Sequence, residues 1–155
     1  MVSNIIDYIK GLNLGTVIYG STNDANLRLD RKTGPFIIMY LVQDANLDLA
    51  MERLIPQWHF NIMVADRTPL DATGEVIQNT IDRMYPIAIN MLRSLKSTYK
   101  MDSKFTMKQS WAKYDSCVSG VSVEFTITGA PVCLSQFDPE PEPEPEPEPT
   151  EQENS

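Results

Sequence analysis

The feature that most limits how this chain can fold is an amphipathic stretch between residues 71 and 100. At about 100° per residue, its large apolar side chains share one stripe roughly 120° wide. Asp71 or Thr73 can cap the first turn, and Pro86 is expected to bend the helix rather than end it. The sequence therefore predicts one long helix over about 73–100, lying across a core. The stripe consists of Ile77, Ile81, Met84, Tyr85, Ala88, Met91, Leu92, Leu95 and Tyr99.

Strand patterns surround this helix. Residues 35–42, PFIIMYLV, are apolar at every position, which is typical of a strand covered on both faces. Apolar and polar residues alternate over 57–64, 105–111 and 121–128, as in strands with one wet face. In the second of these, Phe105, Met107 and Trp111 are expected on one side of the strand. At the start of the chain, a short N-terminal helix is predicted, capped by Ser3 and ended by Gly11.

The region before the central strand predicts a hairpin. TVIYG at 16–20 and LRLDR at 27–31 are β-prone, and STNDAN at 21–26 is rich in residues that favour turns. Strands joined mainly by hairpins indicate an α+β fold, an antiparallel sheet with the long helix packed across it. Parallel βαβ winding is not expected.

Residues 43–56, QDANLDLAMERLIP, follow neither a strand nor a helix period and are interpreted as a projecting arm or long loop. The arm is too apolar for a free loop, so a partner is expected to cover it. A weaker stripe on the flank of the long helix suggests further subunit contacts, although Ile87 could equally pack on the first helix. The predicted interface residues are Leu47, Leu49, Met51, Leu54, Val76, Arg83 and Ile87.

The charge of the chain divides it into a body, 1–130, and an acidic tail, 131–155. Eight of the 21 acidic residues lie after Phe137, and the other 13 balance the 13 bases, so the net charge of -8 belongs to the tail. The alternating Pro and Glu residues predict an extended polyproline-type segment. It is interpreted as a solubilising tail, or as an arm that lies on a basic groove of a neighbour.

A second charged feature is basic. Arg93, Lys96, Lys100, Lys104 and Lys108 lie in a span whose one acid is Asp102. Such a run usually forms a solvated face. It could also contact passing DNA or receive the acidic tail of a neighbour.

Catalytic and cofactor patterns are weak. With one histidine and two cysteines sixteen residues apart, no metal site is predicted, and neither glycine pattern for phosphate binding occurs. His59 with Ser116, Cys117 or Ser119 could form a nucleophilic site in space, but there is no GxSxG motif. We therefore expect a protein that is not an enzyme and needs no cofactor, with no membrane span and no secretory signal.

The order of elements resembles the tail-terminator and tail-completion proteins of tailed bacteriophages. The likeness is carried by SNIIDYIKGL, PFIIMYLV, QDANLDLAMERLIP, GEVIQNTIDRMYPIAINMLRSL and YDSCVSGVSVEFTITG, which span about residues 1–130. The neck rings of crAss-like phages are similar to the same scheme. The Pro-Glu tail is not part of that pattern.

The resemblance implies a structural virion protein, made in the host cytoplasm, whose copies form a ring at the neck or tail. Its partners would be other copies and other neck, portal or tail proteins. Two alternatives stay open at this point. One is a monomeric or dimeric binding adaptor that uses its acidic tail, and the other is a small hydrolase built on His59.

Overall fold

A computed structural model describes residues 2–29, 32–40, 45–50, 53–113, 117–130 and 132–133. Within these ranges the chain forms three helices and one mixed sheet, in which six strands have five or more residues and two have only two. The helices are α1 (Val2–Gly11), α2 (Thr22–Leu29) and α3 (Gly74–Thr98). The strands are β1 (Thr16–Gly20), β2 (Phe36–Tyr40), β3 (Ala45–Ala50), β4 (Arg53–Arg67), β5 (Lys100–Met101), β6 (Thr106–Lys113), β7 (Val118–Thr128) and β8 (Val132–Cys133).

The sheet is built around β4, the 15-residue central strand. Its main path runs β1-β2-β4-β7-β5, while β3 and β8 pair with β4, and β6 pairs with β7. Every pair is antiparallel except β1 with β2, which is parallel. The predicted α+β class is confirmed, but the prediction of a wholly antiparallel sheet is wrong at this edge.

The reason is α2, which replaces the predicted turn and strand. Ser21 and Asp24 form a capping box: the Ser21 backbone N–H and hydroxyl donate to Asp24 Oδ2 at 2.9 and 2.7 Å, and the Asp24 N–H donates to Ser21 Oγ at 3.3 Å. One turn later, Ala25 and Leu29 are buried against the sheet. The helix carries the chain over the sheet, so β2 returns parallel to β1.

The predicted long helix is confirmed as α3, which continues through Pro86. Thr73 is its N-cap residue, although no side-chain cap hydrogen bond forms. Tyr85 departs from the predicted stripe because 44 % of it is exposed. Thr80 is buried instead, with its hydroxyl donating to the Val76 carbonyl at 3.0 Å. The rest of the stripe packs on the sheet as predicted.

The two faces of the sheet are covered differently. On the first face, α1 and α3 pack over the alternate residues Trp58, Phe60, Ile62 and Val64 of β4 and enclose the main core. On the second face, α2 covers a smaller cluster around Phe36 at the β1 and β2 end. The part of this face formed by β4, β7 and β6 is covered by none of the three described helices.

The strand predicted over 35–42 is confirmed as β2, of which residues 36–39 are fully buried. The prediction of a projecting arm or long loop at 43–56 is wrong in its secondary structure, because residues 45–50 form β3, which pairs with residues 53–58 of β4. No single strand period runs through 43–56, because the paired apolar positions are odd-numbered in β3 and even-numbered in β4. Met51 and the tail from residue 134 lie outside the described residues. β8 lies just past the predicted boundary at 130.

Candidate functional site

The first candidate surface is the hairpin arm, defined as β3 with residues 53–58 of β4. The body of β4 pairs with β2, whereas this end pairs with β3 and β8. Lys100, next to the end of α3, pairs with Thr128, which pairs with Gln57 of β4. The helix thus ends level with Gln57, and the hairpin arm extends about 13 Å past it at about 3.3 Å per residue.

The register places apolar residues opposite one another in the hairpin arm. Leu49 lies opposite Leu54, Leu47 lies opposite Pro56, and Val132 of β8 lies on the other side of Leu54. These positions share the sheet face on which α3 lies, since they keep the alternation of Trp58. A run of apolar register positions that continues past the end of α3 is suited to a partner surface.

The base of the hairpin arm is fixed to the body by Trp58. Its ring packs against the main core and also lies over Gly129, whose N–H donates to the Pro56 carbonyl at 2.7 Å. Because the arm and the body share β4, the arm is a continuation of the sheet rather than a separate loop.

The predicted interface residues on α3 lie elsewhere. Val76 is 41 % exposed and Ile87 is half-buried against the main core. Arg83 is exposed, and its guanidinium lies 3.8 Å from Asp66 at the far end of β4. The tip of the hairpin arm is therefore about 40 Å along the strand from this helix flank. We use helix flank for Val76, Arg83 and Ile87 together.

The second candidate surface is the polar groove, a concavity of about 1090 Å³ on the second face of the sheet. It lies between α2 and the edge strand β6. Its floor comes from the wet faces of β4 and β7. The lining residues are Thr22, Asn26, Tyr40, His59, Phe60, Asn61, Met63, Lys104, Phe105, Thr106, Lys108, Gln109, Ser110, Trp111, Ser122, Glu124, Phe125 and Thr126.

Cross-strand pairs order the floor of the polar groove. Ser110 and Ser122 share a hydrogen bond of 2.9 Å. Lys108 Nζ lies 3.3 Å from Glu124 Oε1, and both side chains are largely exposed. His59 Nδ1 lies 2.8 Å from the Thr126 hydroxyl. Such an array offers hydrogen-bond donors and the Lys108 ammonium to a polar, extended ligand.

Two groove residues, Phe105 just before β6 and Trp111 within it, lie on the side opposite Met107, whereas the sequence predicts all three on one side. The pairing of β6 with β7 shifts between Ser110 and Lys113, a β-bulge that adds a residue to β6. Met107 therefore packs against the main core, while Trp111, 60 % exposed, lines the groove. Strict alternation predicts both on one side, and no residue in the sequence marks the bulge.

The predicted basic residues separate into two groups. Lys104 and Lys108 line the polar groove on the second face. Arg93 and Lys96 are exposed on α3, which covers the first face, and Lys100 is exposed on β5 at the edge between them. The sheet lies between the two groups, so one flat ligand cannot contact all five.

The residues considered for nucleophilic catalysis are far apart. His59 pairs with Thr126 and Asp66 pairs with Ser119, so Ser119 is seven positions along the sheet, about 23 Å from His59. Cys117, half-buried, is farther still, and Ser116 lies outside the described residues. Neither described partner can contact His59. In the described ranges, no group of three or more His, Cys, Asp or Glu side chains could hold a metal ion.

No family model and no curated protein match the sequence. Among the described helices, none combines the length and apolarity needed to span a bilayer.

Proposed function

We propose that the chain is a structural subunit whose copies join head to tail in a ring, of the kind that closes the neck or tail of a tailed bacteriophage. The observation that supports this most is the separation of two unlike surfaces on one subunit. The hairpin arm lies past one end of α3, and the helix flank lies near the opposite end of β4. A head-to-tail contact needs two different surfaces on each subunit, whereas a twofold dimer repeats one.

The chemistry of the two surfaces suits this contact. The hairpin arm pairs Leu49 with Leu54 near its tip, and the helix flank offers the exposed Val76 and, two turns along α3, the exposed Arg83. Apolar residues at the centre and charged groups at the rim are typical of subunit interfaces. The backbone edges of β1 and β6 could add strand pairing between neighbours.

Engineered disulfides test the contact directly. Leu49→Cys in one sample and Val76→Cys in another are mixed under mild oxidation, with Cys117 and Cys133 replaced by serine in both. We expect a covalent dimer that contains one copy of each variant. Gln78→Cys is the matched control, because Gln78 is exposed on α3 about 200° around the helix from Val76. Equal yields for Val76 and Gln78 would contradict the head-to-tail contact.

The state of the unmodified chain tests the ring. Light scattering and negative-stain images of the concentrated protein are expected to show a closed ring with a central channel. A twofold dimer at every concentration would favour instead an adaptor that uses its acidic tail, since such a dimer leaves no open surface for addition. Arg93 and Lys96, both exposed on α3, are the residues that would contact DNA in such a channel.

A further inference from the structure

The edge of the polar groove carries an aromatic, basic, aromatic series. Phe105, Lys108 and Trp111 occur at every third position along β6 and the residue before it. All three line the groove, and the two aromatic side chains are 40 % and 60 % exposed. At about 3.3 Å per residue, the members of the series are spaced about 10 Å apart. The β-bulge after Ser110 brings Trp111 to the same face as Lys108.

The acidic tail presents a matching series. Residues 139–149 alternate proline and glutamate without a break. A polyproline helix has three residues per turn and rises about 3.1 Å per residue, so every third residue lies on one face, about 9 Å apart. Because the sequence repeat is two, each face of the helix shows Pro, Glu and Pro in turn. This spacing matches that of Phe105, Lys108 and Trp111.

We propose that the polar groove binds the chain's own Pro-Glu segment as a polyproline helix. Two prolines pack on the Phe105 and Trp111 rings, as proline-rich ligands do in aromatic-lined grooves. The glutamate between them binds the Lys108 ammonium. The present partner of this ammonium is Glu124, whose Oε1 lies 3.3 Å away, and both side chains are exposed to solvent. Lys104, at the same end of the groove as Phe105, binds a second glutamate.

The length of the chain permits this contact. The described chain ends at Cys133, which pairs with Arg53 at the tip of the hairpin arm. Thr106 pairs with Glu124, and Glu124 pairs with Asn61 of β4. Phe105, the residue before Thr106, is therefore about 25 Å along the sheet from the tip of the hairpin arm. Eight extended residues from Cys133 to Pro141 cover about 25 Å. Pro141, Glu144 and Pro147 then follow β6 in its own direction. This inference does not depend on the ring.

Zero-length carbodiimide crosslinking of the full chain tests the contact, because it joins only carboxylates and amines that touch. Mass spectrometry is expected to find tail glutamates joined to Lys108 and Lys104 at several times the yield for Lys96, which is exposed on the other side of the sheet. Trp111→Ala and a full-length variant with serine in place of the six prolines of 139–149 are each expected to reduce the Lys108 yield several-fold. Tyr85→Ala, at an exposed aromatic residue on α3, is the matched control and is expected to leave it unchanged.

Isotope mixing identifies the donor chain. When light and ¹⁵N-labelled proteins are mixed, crosslinks within one chain carry a single isotope. Mixed pairs would overturn the contact within one chain. A uniform yield over all lysines, or a Lys108 yield that neither variant reduces, would overturn binding in the groove. Circular dichroism checks that Trp111→Ala is folded, and Phe105→Ala repeats the test if it is not.

Discussion

The indole ring of Trp58 closes over Gly129, so that a Cβ atom on Gly129 would lie 2.5 Å from the ring. Gly129 is buried between β7 and β8, at the point where the hairpin arm leaves the body. A side chain here would displace Trp58 from the main core. The contact of Trp58 that fixes the hairpin arm to the body therefore requires glycine at position 129.

Gly129→Ala is predicted to lower the free energy of unfolding by about 1–3 kcal/mol, the usual cost of overpacking. Urea unfolding followed by Trp fluorescence measures the change. Gly11→Ala is the matched control, because no atom lies within 4 Å of an added Cβ at Gly11. Equal stability of Gly129→Ala and the wild type would show that Trp58 is free to move aside.

Ser21→Ala is predicted to destabilise the protein by about 1 kcal/mol, because it removes the hydroxyl that closes the α2 capping box. Thr22→Ala, at the exposed first residue of α2, is the control and is expected to change stability little. Thermal and urea unfolding compare the variants. If Ser21→Ala were neutral, the burial of Ala25 and Leu29 alone would account for α2.

The same capping box predicts a dependence on pH. The hydrogen bond from the Ser21 hydroxyl, followed by that from its backbone N–H, holds the pKa of Asp24 below its ordinary value of 3.8. Because the folded pKa is the lower one, the contribution to stability is complete above the unfolded pKa and is lost as pH falls through the folded pKa. The stability difference between the wild type and Asp24→Ala should therefore be constant at neutral pH and narrow below 3.8. Urea unfolding at several pH values measures it. A difference that widened in acid would contradict the assignment.

Tyr8→Phe is predicted to cost about 1 kcal/mol of stability. The Tyr8 hydroxyl donates to the Ser94 carbonyl at 3.0 Å and accepts from the Thr98 hydroxyl at 2.8 Å, which joins α1 to the last turns of α3. Phenylalanine keeps the edge-to-face contact with Tyr99. Tyr85→Phe is the matched control because Tyr85 is exposed. Amide exchange in α1 is expected to quicken in Tyr8→Phe alone.

The two apolar residues of the helix flank are predicted to behave differently in the isolated subunit. Ile87→Ala is expected to cost about 2 kcal/mol, at the low end of the range for buried isoleucine, because Ile87 packs against the main core. Val76→Ala should stay within about 0.5 kcal/mol of the wild type, since Val76 is exposed. Chemical unfolding of both variants checks this. Similar losses at the two positions would place Val76 in the core.

The elements that could be predicted from the sequence are those with one clear period. The stripe of α3, the alternation in β4 and β7, and the all-apolar β2 each follow from burial alone. α2 could not be predicted because Ser, Asn and Asp favour turns and helix caps alike. Burial of Leu29 against the cluster around Phe36 favours the helix, and that contact is not visible in a local window.

The candidate surfaces were predictable only in part. The apolar residues of the arm indicated its position in the sequence. Its pairing as a hairpin could not be predicted, because it depends on β4 continuing beyond the body of the sheet and on the register of β3 against that extension. The polar groove was missed, although the wet faces of β6 and β7 were both predicted. Their adjacency is a result of topology, and the position of Trp111 is a result of one bulge.

β4 continues over 15 residues from the body to the tip of the hairpin arm. A hinge is therefore not needed to aim the arm, and its direction follows from the twist of the sheet. Removing one residue from each strand of the hairpin would move the apolar positions beyond the deletion to the opposite face of the sheet. Removing two residues from each strand would keep them on the same face and shorten the arm by about 7 Å. In the proposed ring, the length of the hairpin arm would therefore affect how many subunits close the ring, while the core would be unchanged.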